Sequence, residues 1–232
     1  MDGRSVALGG GMNALEPETT NGLFIAYNLP YQLKELSSRS LRAAFETNWM
    51  DLEGGWTQTG DEVYMENYVS MSAARDLSGT FRLKAKIGFY NYALITGEKG
   101  STLLSEIGCI ITLYEKMQIN VYAFNPSGSR ISLSENTLPL TQSIHVGINF
   151  KPVNKLEGLL EIEKVLKQIP ILHMGLEYKL CEELVLRTGL SCRPIMSSWG
   201  VGGNIRRLHY SLGANNHPSL GYSSCFSIYY NW

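Results

Sequence analysis

The last seven residues of the chain place a large apolar side chain at every second position and end on an aromatic residue. The alternating residues are Phe226, Ile228, Tyr230 and Trp232. A period of two gives a β-strand one apolar face and one polar face. Soluble proteins rarely end on such an exposed strand, whereas the last strand of an outer-membrane β-barrel turns this face toward lipid. The carboxyl terminus therefore predicts a membrane-spanning β-barrel.

The composition agrees with this prediction. The 232 residues fit one domain, and the 20 basic residues are balanced by 21 acidic ones, which argues against a nucleic-acid partner. A hydrophobic fraction of 44% suits a barrel, because only half of each strand faces lipid. No apolar run approaches the ~18 residues of a transmembrane helix. Residues 1–12 lack the basic and apolar regions of a secretory signal peptide, so we expect an exported chain to be the processed form.

The cysteines and histidines give no metal-binding pattern. The four cysteines have neither CxxC spacing nor a Cys/His arrangement: Cys109, Cys181, Cys192 and Cys225. Unpaired cysteines are commonly small, buried packing residues. We therefore expect no metal and no cofactor.

Short alternating segments recur from Leu41 onward, with turn residues between them. They predict an all-β, antiparallel barrel of about twelve to fourteen strands. The predicted strands are 39–49, 63–75, 80–93, 103–115, 118–124, 143–151, 156–164, 171–179, 183–192, 196–204, 207–215 and 220–231, with a further possible strand at 51–58. The segment from Leu156 to Lys167 also fits helical spacing, and we predict a strand there because its neighbours need a partner. Short turns on one side and longer loops on the other, such as 125–142, are typical of outer-membrane barrels.

The polar faces of these strands predict the residues that line the lumen. The candidates are Arg82, Lys84, Lys86, His145, His173, Glu177 and Arg187. The basic residues on strand 80–93 either attract anionic solutes or balance luminal glutamates, and we favour balance. Glu161 and Glu163 also lie near lysines, which suggests an ordinary ladder of ion pairs.

The segments 3–12 (GRSVALGGGM) and 21–30 (NGLFIAYNLP) resemble the motifs "GxRxxGMGGA" and "xxxYNPAGL". These motifs are typical of the FadL-like outer-membrane barrels, including the PorV-like and PorQ-like proteins of Bacteroidota. The stretch 175–190 resembles a "GxEY…LRxG" hairpin, and the tail from Trp199 resembles "FGxGxxxxxxxxDYAxxxHPxLGxxHxxSxxxxF". In the tail, His209 stands where the family has Asp.

The resemblance implies a barrel at 39–232 whose lumen is plugged by residues 1–38. The implied plug residues are Gly9, Gly10, Gly11, Asn28 and Pro30, and glycine suits a segment that turns tightly in a narrow space. The resemblance also implies an outer-membrane protein without enzymatic activity. It would act either in transport of hydrophobic molecules or as an accessory or shuttle of type IX-like protein secretion, with secretion components or exported cargo as partners.

The tail further resembles the signal that the outer-membrane barrel assembly machinery reads by strand addition. Its residues are Gly221, Tyr222, Phe226, Ile228, Tyr230 and Trp232. The expected partners are therefore outer-membrane lipid and this machinery.

Two alternatives remain at this stage. A soluble β-barrel that binds a hydrophobic ligand or a protein partner would explain the missing signal peptide. A lipid hydrolase would use Ser and His, and Ser143 and Ser191 lie near strand ends. However, the chain has no GxSxG motif and no recognisable Ser–His motif, so we predict that the histidines only line the lumen.

Overall fold

The chain forms a closed antiparallel β-barrel of fourteen strands in a computed structural model that describes residues 2–11, 21–114, 116–132 and 137–232. The wall strands are β1 (Gly22–Leu29), β2 (Ser38–Glu46), β3 (Asp51–Gly60), β4 (Tyr64–Ser78), β5 (Phe81–Leu94), β6 (Lys99–Leu113), β7 (Met117–Phe124), β10 (Ser143–Val153), β11 (Leu156–Val165), β12 (Ile171–Cys181), β13 (Leu184–Ser191), β14 (Met196–Ile205), β15 (Leu208–His217) and β16 (Gly221–Asn231). The predicted fold class and strand number are confirmed.

A few shorter elements lie outside the wall. Strands β8 (Arg130–Ser132) and β9 (Thr137–Pro139) form a small hairpin within the long connection between β7 and β10. A short helix, α1 (Gly3–Ala7), precedes the barrel, and two 3₁₀ turns (Pro30–Gln32 and Lys34–Leu36) join β1 to β2. In the described part of the chain, no helix is long and apolar enough to span a membrane.

Each wall strand pairs with its neighbour along the chain, and the first and last strands close the ring. In this closing pair, Leu23 lies opposite Tyr230 and Ala26 lies opposite Ser227. The backbone N–H of Trp232 also donates to the carbonyl of Asn21, 3.1 Å away. Closure leaves no unpaired edge among the fourteen described strands of the wall, as a barrel in lipid requires.

The connections differ strongly between the two ends of the barrel. At one end, which we call the short-turn end, tight connections such as 79–80, 154–155 and 206–207 join the strands. At the other, the loop end, the connections include 30–37, 125–142 and 166–170. The asymmetry expected from the sequence is therefore present.

The two faces of the wall carry different side chains. Large apolar residues point outward and are exposed, for example Ile87 at 56%, Phe89 at 48% and Ile144 at 54%. Small and polar residues point inward and are buried, among them Ser211 and Ser227. A barrel with this pattern has an apolar outside and a polar inside, the reverse of a soluble globule.

The predicted boundary between plug and barrel at residue 38 is wrong. The wall begins at Gly22, because β1 pairs along its length with β16 on one side and with β2 on the other. Asn28 is therefore a wall residue and Pro30 begins a 3₁₀ turn, so neither belongs to the plug. The possible strand at 51–58 is present as β3, and the segment with helical spacing is the strand β11.

Candidate functional site in the lumen

Residues 2–11, which we call the plug segment, lie inside the barrel, and all of them are buried except the half-buried Gly10. Asp2 caps α1, with its Oδ1 accepting from the backbone N–H of Ser5 at 2.8 Å. Gly9 and Gly10 then turn the chain with φ angles of +95° and +84°, which L side chains rarely adopt. Of the three predicted plug glycines, Gly11 lies against Glu161, since an added Cβ would come 3.0 Å from its Oε2. Residues 12–20 of the predicted plug lie outside the described residues.

Four inward-facing glycines on β12, β13, β14 and β15 make room for the plug segment: Gly175, Gly189, Gly200 and Gly213. A Cβ added at Gly213 would lie 2.2 Å from the carbonyl oxygen of Gly3, and one at Gly189 would lie 2.4 Å from the backbone nitrogen of Gly9. Real Cβ atoms do not approach other atoms so closely. The absence of a side chain at these glycines therefore lets the plug segment pack directly against the backbone of the strands. We call this surface the glycine seat.

Ion pairs hold the plug segment against the glycine seat. The Arg4 Nε lies 2.9 Å from Glu177 Oε2 on β12, and its Nη2 lies 3.4 Å from Glu157 Oε1 on β11. Arg187 on β13 shares the same Glu177 oxygen at 2.7 Å and donates to Ser211 Oγ at 2.6 Å. A buried pair of charges is stable only when its members are also well hydrogen-bonded, and this network meets that condition.

The start of the segment is held by further contacts. The backbone N–H of Gly3 donates to Ser227 Oγ at 3.1 Å. Arg42 on β2 lies 3.8 Å from Asp2 and 3.6 Å from Glu53, with its guanidinium 3.9 Å above the Phe24 ring. These contacts reach from the plug segment across the closing pair of strands.

A second polar cluster occupies β10, β11 and β12 toward the loop end. In it, His145 Nδ1 lies 2.8 Å from Glu161 Oε1, and its Nε2 lies 2.9 Å from Ser143 Oγ. His173 Nδ1 donates to the Gly9 carbonyl at 2.8 Å, and its Nε2 lies 3.0 Å from Glu163 Oε2. In the strand register, His145 lies directly opposite Glu163, and His173 lies directly opposite Glu161. Each histidine therefore hydrogen-bonds to the glutamate diagonal to it and not to the one directly opposite.

The basic residues of β5 also face the lumen. Arg82 forms ion pairs with Asp51 and Asp76, and Lys86 Nζ lies 3.3 Å from Glu106 Oε1. Lys84 lies between them on the same face, and it too has an interaction partner. The ion pairs of Arg82 and Lys86 agree with charge balance.

The outer wall carries an apolar recess of about 650 Å³ over β10–β14. Gly158 lies within it, and the nearest neighbour to an added Cβ there would be Leu176, 3.7 Å away. The recess is lined by exposed Ile148, Phe150, Leu160 and Leu176. Gly175 and Gly189, which contact Leu8 inside the barrel, also border the recess, so only backbone separates it from the plug segment.

The structure brings most of the predicted luminal residues together and adds others. His145, His173, Glu177 and Arg187 lie in the two polar clusters, whereas Arg82, Lys84 and Lys86 lie apart on β5. Sequence reasoning missed Arg4 as the centre of the plug network. It also missed the contact between Ser143 and His145, which the spacing of two residues along a strand could have suggested.

The predicted tail residues lie at the closing strand. Tyr222, Phe226 and Tyr230 are exposed on the outer face of β16. Gly221 begins this strand with a φ of +87°, Ile228 lies on the same outer face, and Trp232 contacts Phe45 with ring centroids 5.8 Å apart. In the described residues, no group of three or more His, Cys, Asp or Glu side chains is placed to hold a metal ion.

Comparison with known proteins gives similarity in fold only. No protein-family model and no curated protein matches the chain. Among solved structures, the chain is similar to the TodX deltaS2S3 mutant monoaromatic hydrocarbon channel, with a TM-score of 0.74 at 9% identity over 100% of this chain and 99% of that one. It is similar to the Pseudomonas putida toluene transporter TodX (TM-score 0.67, 10% identity, 99% and 96% covered) and to a Pseudomonas aeruginosa FadL homologue (TM-score 0.66, 8% identity, 100% and 96% covered).

Proposed function

We propose that the chain is an outer-membrane channel for small hydrophobic molecules, closed in this structure by its plug segment. The single observation that carries the proposal is that an apolar recess on the outer wall lies directly behind the glycine seat, on which the plug segment packs. A hydrophobic molecule in the recess would be separated from the plug residue Leu8 only by the backbone at Gly175 and Gly189. The fold similarity to hydrocarbon channels supports a monoaromatic hydrocarbon as the kind of molecule carried.

The outer surface supports a place in a membrane. Ladders of exposed apolar residues, such as Ile144, Val146, Ile148 and Phe150 on β10, run along the outward face. Soluble monomers rarely expose apolar patches of more than a few hundred Å². The soluble-barrel alternative is therefore the weaker proposal.

The test is uptake of radiolabelled toluene by cells that carry the chain in their outer membrane. We expect faster initial uptake than in cells with an empty vector. Gly158→Trp should fill the recess and reduce this uptake. Gly54→Trp is the matched control, because an added Cβ at Gly54 meets open space. Uptake equal to that of the empty vector would refute the channel.

A role in type IX-like secretion is a second proposal, based on the sequence resemblance at both ends of the chain. The observation in its favour is the long connection 125–142, which carries the hairpin β8–β9 at the loop end and offers a surface for exported cargo. Deletion of 127–141 should then abolish crosslinking of cargo while leaving toluene uptake unchanged. Unchanged crosslinking would exclude this surface as the cargo site.

A further inference from the structure

Three side chains on β10 and β11 form a continuous hydrogen-bonded chain in the lumen. Ser143 and His145 are two residues apart on β10, so both point inward. The Ser143 Oγ lies 2.9 Å from His145 Nε2, and His145 Nδ1 lies 2.8 Å from Glu161 Oε1. All three residues are buried, with 7%, 5% and 2% of their surfaces exposed. A nucleophile within hydrogen-bond distance of a base, with the base oriented by a third group, is the arrangement that activates a serine.

The partners of the ring nitrogens distinguish His145 from the nearby His173. His173 faces two acceptors, the Gly9 carbonyl and the Glu163 carboxylate, so neither of its nitrogens is left to take a proton from a hydroxyl. The Nδ1–H of His145 donates to Glu161, which leaves the Nε2 lone pair directed at the Ser143 hydroxyl. This tautomer is the one that a general base requires.

We propose that Ser143, His145 and Glu161 form a triad that hydrolyses carboxylic esters within the lumen. Ser143 Oγ attacks the ester carbonyl carbon, and its proton passes to His145 Nε2. The C–O bond to the alcohol breaks, the alcohol leaves with that proton, and an acyl-serine remains. Water then attacks the acyl carbon and gives a proton to His145. The bond between the acyl carbon and Ser143 Oγ breaks as His145 returns the proton to Oγ, which releases the carboxylic acid and restores free serine and neutral His145. Ser143 and His145 are catalytic residues, and Glu161 positions the imidazole.

The surroundings favour a neutral ester with an apolar acyl group. Leu159, two residues before Glu161 on the same inward face of β11, packs against Leu8 of the plug segment. This contact places two buried apolar side chains beside the triad. The inference goes beyond the proposed channel and does not depend on it.

The experiment treats the detergent-purified full chain with a fluorophosphonate probe and, separately, with p-nitrophenyl butyrate. We expect the probe to label Ser143, as located by peptide mass spectrometry. Ser143→Ala should abolish labelling, and both Ser143→Ala and His145→Gln should slow ester hydrolysis by at least ~100-fold. Glu161→Asp should retain more of the rate than Glu161→Gln, because it keeps a carboxylate for the imidazole.

The matched control is Ser191→Ala, because Ser191 is also a buried luminal serine but its Oγ lacks a hydrogen-bond partner within the described residues. Labelling and hydrolysis should be unchanged in this variant. Each variant is first shown to be folded by its migration on gels with and without boiling. A folded wild-type chain that is not labelled, or that is labelled equally in Ser143→Ala, would overturn the proposal. Probe labelling and ester hydrolysis report on the triad, whereas toluene uptake by the wild-type chain reports on the channel, so failure of the triad and failure of the channel give different results.

Discussion

Glycine serves two different purposes on the two sides of the lumen. On β12–β15, Gly189 and Gly213 accommodate the backbone of the plug segment. On β4–β7, the corresponding inward glycines accommodate aromatic rings of the wall itself. A Cβ at Gly88 would lie 2.3 Å from the Tyr68 ring, and one at Gly108 would lie 2.3 Å from the Tyr122 ring.

For the proposed channel, the difference indicates which half of the lumen would open. The rings of Tyr68 and Tyr122 belong to strands of the wall, so they can change rotamer but cannot leave the barrel. The plug segment is attached to the wall by ion pairs and hydrogen bonds that can break, such as those of Arg4. A passage would therefore open along the glycine seat, next to the recess of the outer wall.

The largest expected effect comes from shortening β16, which closes the barrel by pairing with β1. Deleting residues 230–232 removes the pairs of Tyr230 with Leu23 and of Asn231 with Gly22, together with the bond from Trp232 to Asn21. It also removes the end of the tail that resembles an assembly signal. We expect no folded barrel in the membrane, measured as loss of the species that migrates differently before boiling. A normal heat-modifiable barrel after this deletion would show that closure does not need the tail.

The second prediction tests whether the glycine seat controls opening. Gly213→Val should displace the plug segment, because the nearest atoms to its Cβ are Gly3 O at 2.2 Å and Ala7 N at 2.9 Å, both in that segment. We expect a severalfold higher single-channel conductance in planar bilayers than for the wild-type chain.

The matched variant on the other side is Gly88→Val. Its Cβ would meet the Tyr68 ring, which must rotate within a filled space, and such overpacking costs about 1–3 kcal/mol. We expect a lower unfolding temperature and no rise in conductance. If both variants conduct equally, the distinction between the two halves is wrong.

The sequence was sufficient to predict the wall where alternation is clean. On β5 and β10 the outward residues are large and apolar and the inward ones are polar, so both the strands and the luminal side of Lys86 and His145 could be predicted. β1 was missed because Phe24 faces inward beneath Arg42, which places Leu23, Phe24 and Ile25 in one unbroken apolar run. Such a run hides the period of two.

The contacts within the lumen could not be predicted from the sequence in the same way. The diagonal pairing of His145 with Glu161 depends on the register between β10 and β11, and that register shifts between Phe150 and Val153. The partners of Arg4 lie more than 150 positions away in the chain, at Glu157 and Glu177. Only the closed barrel brings these residues together.

The third prediction measures how firmly the plug segment is held. Arg4→Met removes one partner of a buried network and leaves Glu177 with Arg187 alone, a change that typically costs about 3 kcal/mol. We expect amide hydrogen exchange at residues 6–8 to accelerate by about 100-fold, since 1.4 kcal/mol is a factor of ten. Lys86→Met, which breaks the pair with Glu106 on the opposite side, should leave exchange at these amides unchanged. Equal acceleration in both variants would mean that the segment is not held locally.

The smallest expected effect concerns the aromatic side of the lumen. The Tyr68 hydroxyl is buried and has no hydrogen-bond partner within the described residues, whereas its ring fills the space above Gly88. A buried hydroxyl without a partner loses its hydration without compensation, so its removal should be neutral or stabilising by about 1 kcal/mol. Tyr68→Phe should therefore leave the unfolding temperature in detergent unchanged or slightly raised, whereas Tyr68→Ala should lower it because the ring is lost. A clear loss of stability in Tyr68→Phe would show that the hydroxyl has a hydrogen-bond partner. Polar contacts, and not only packing of the ring, would then stabilise this side of the lumen.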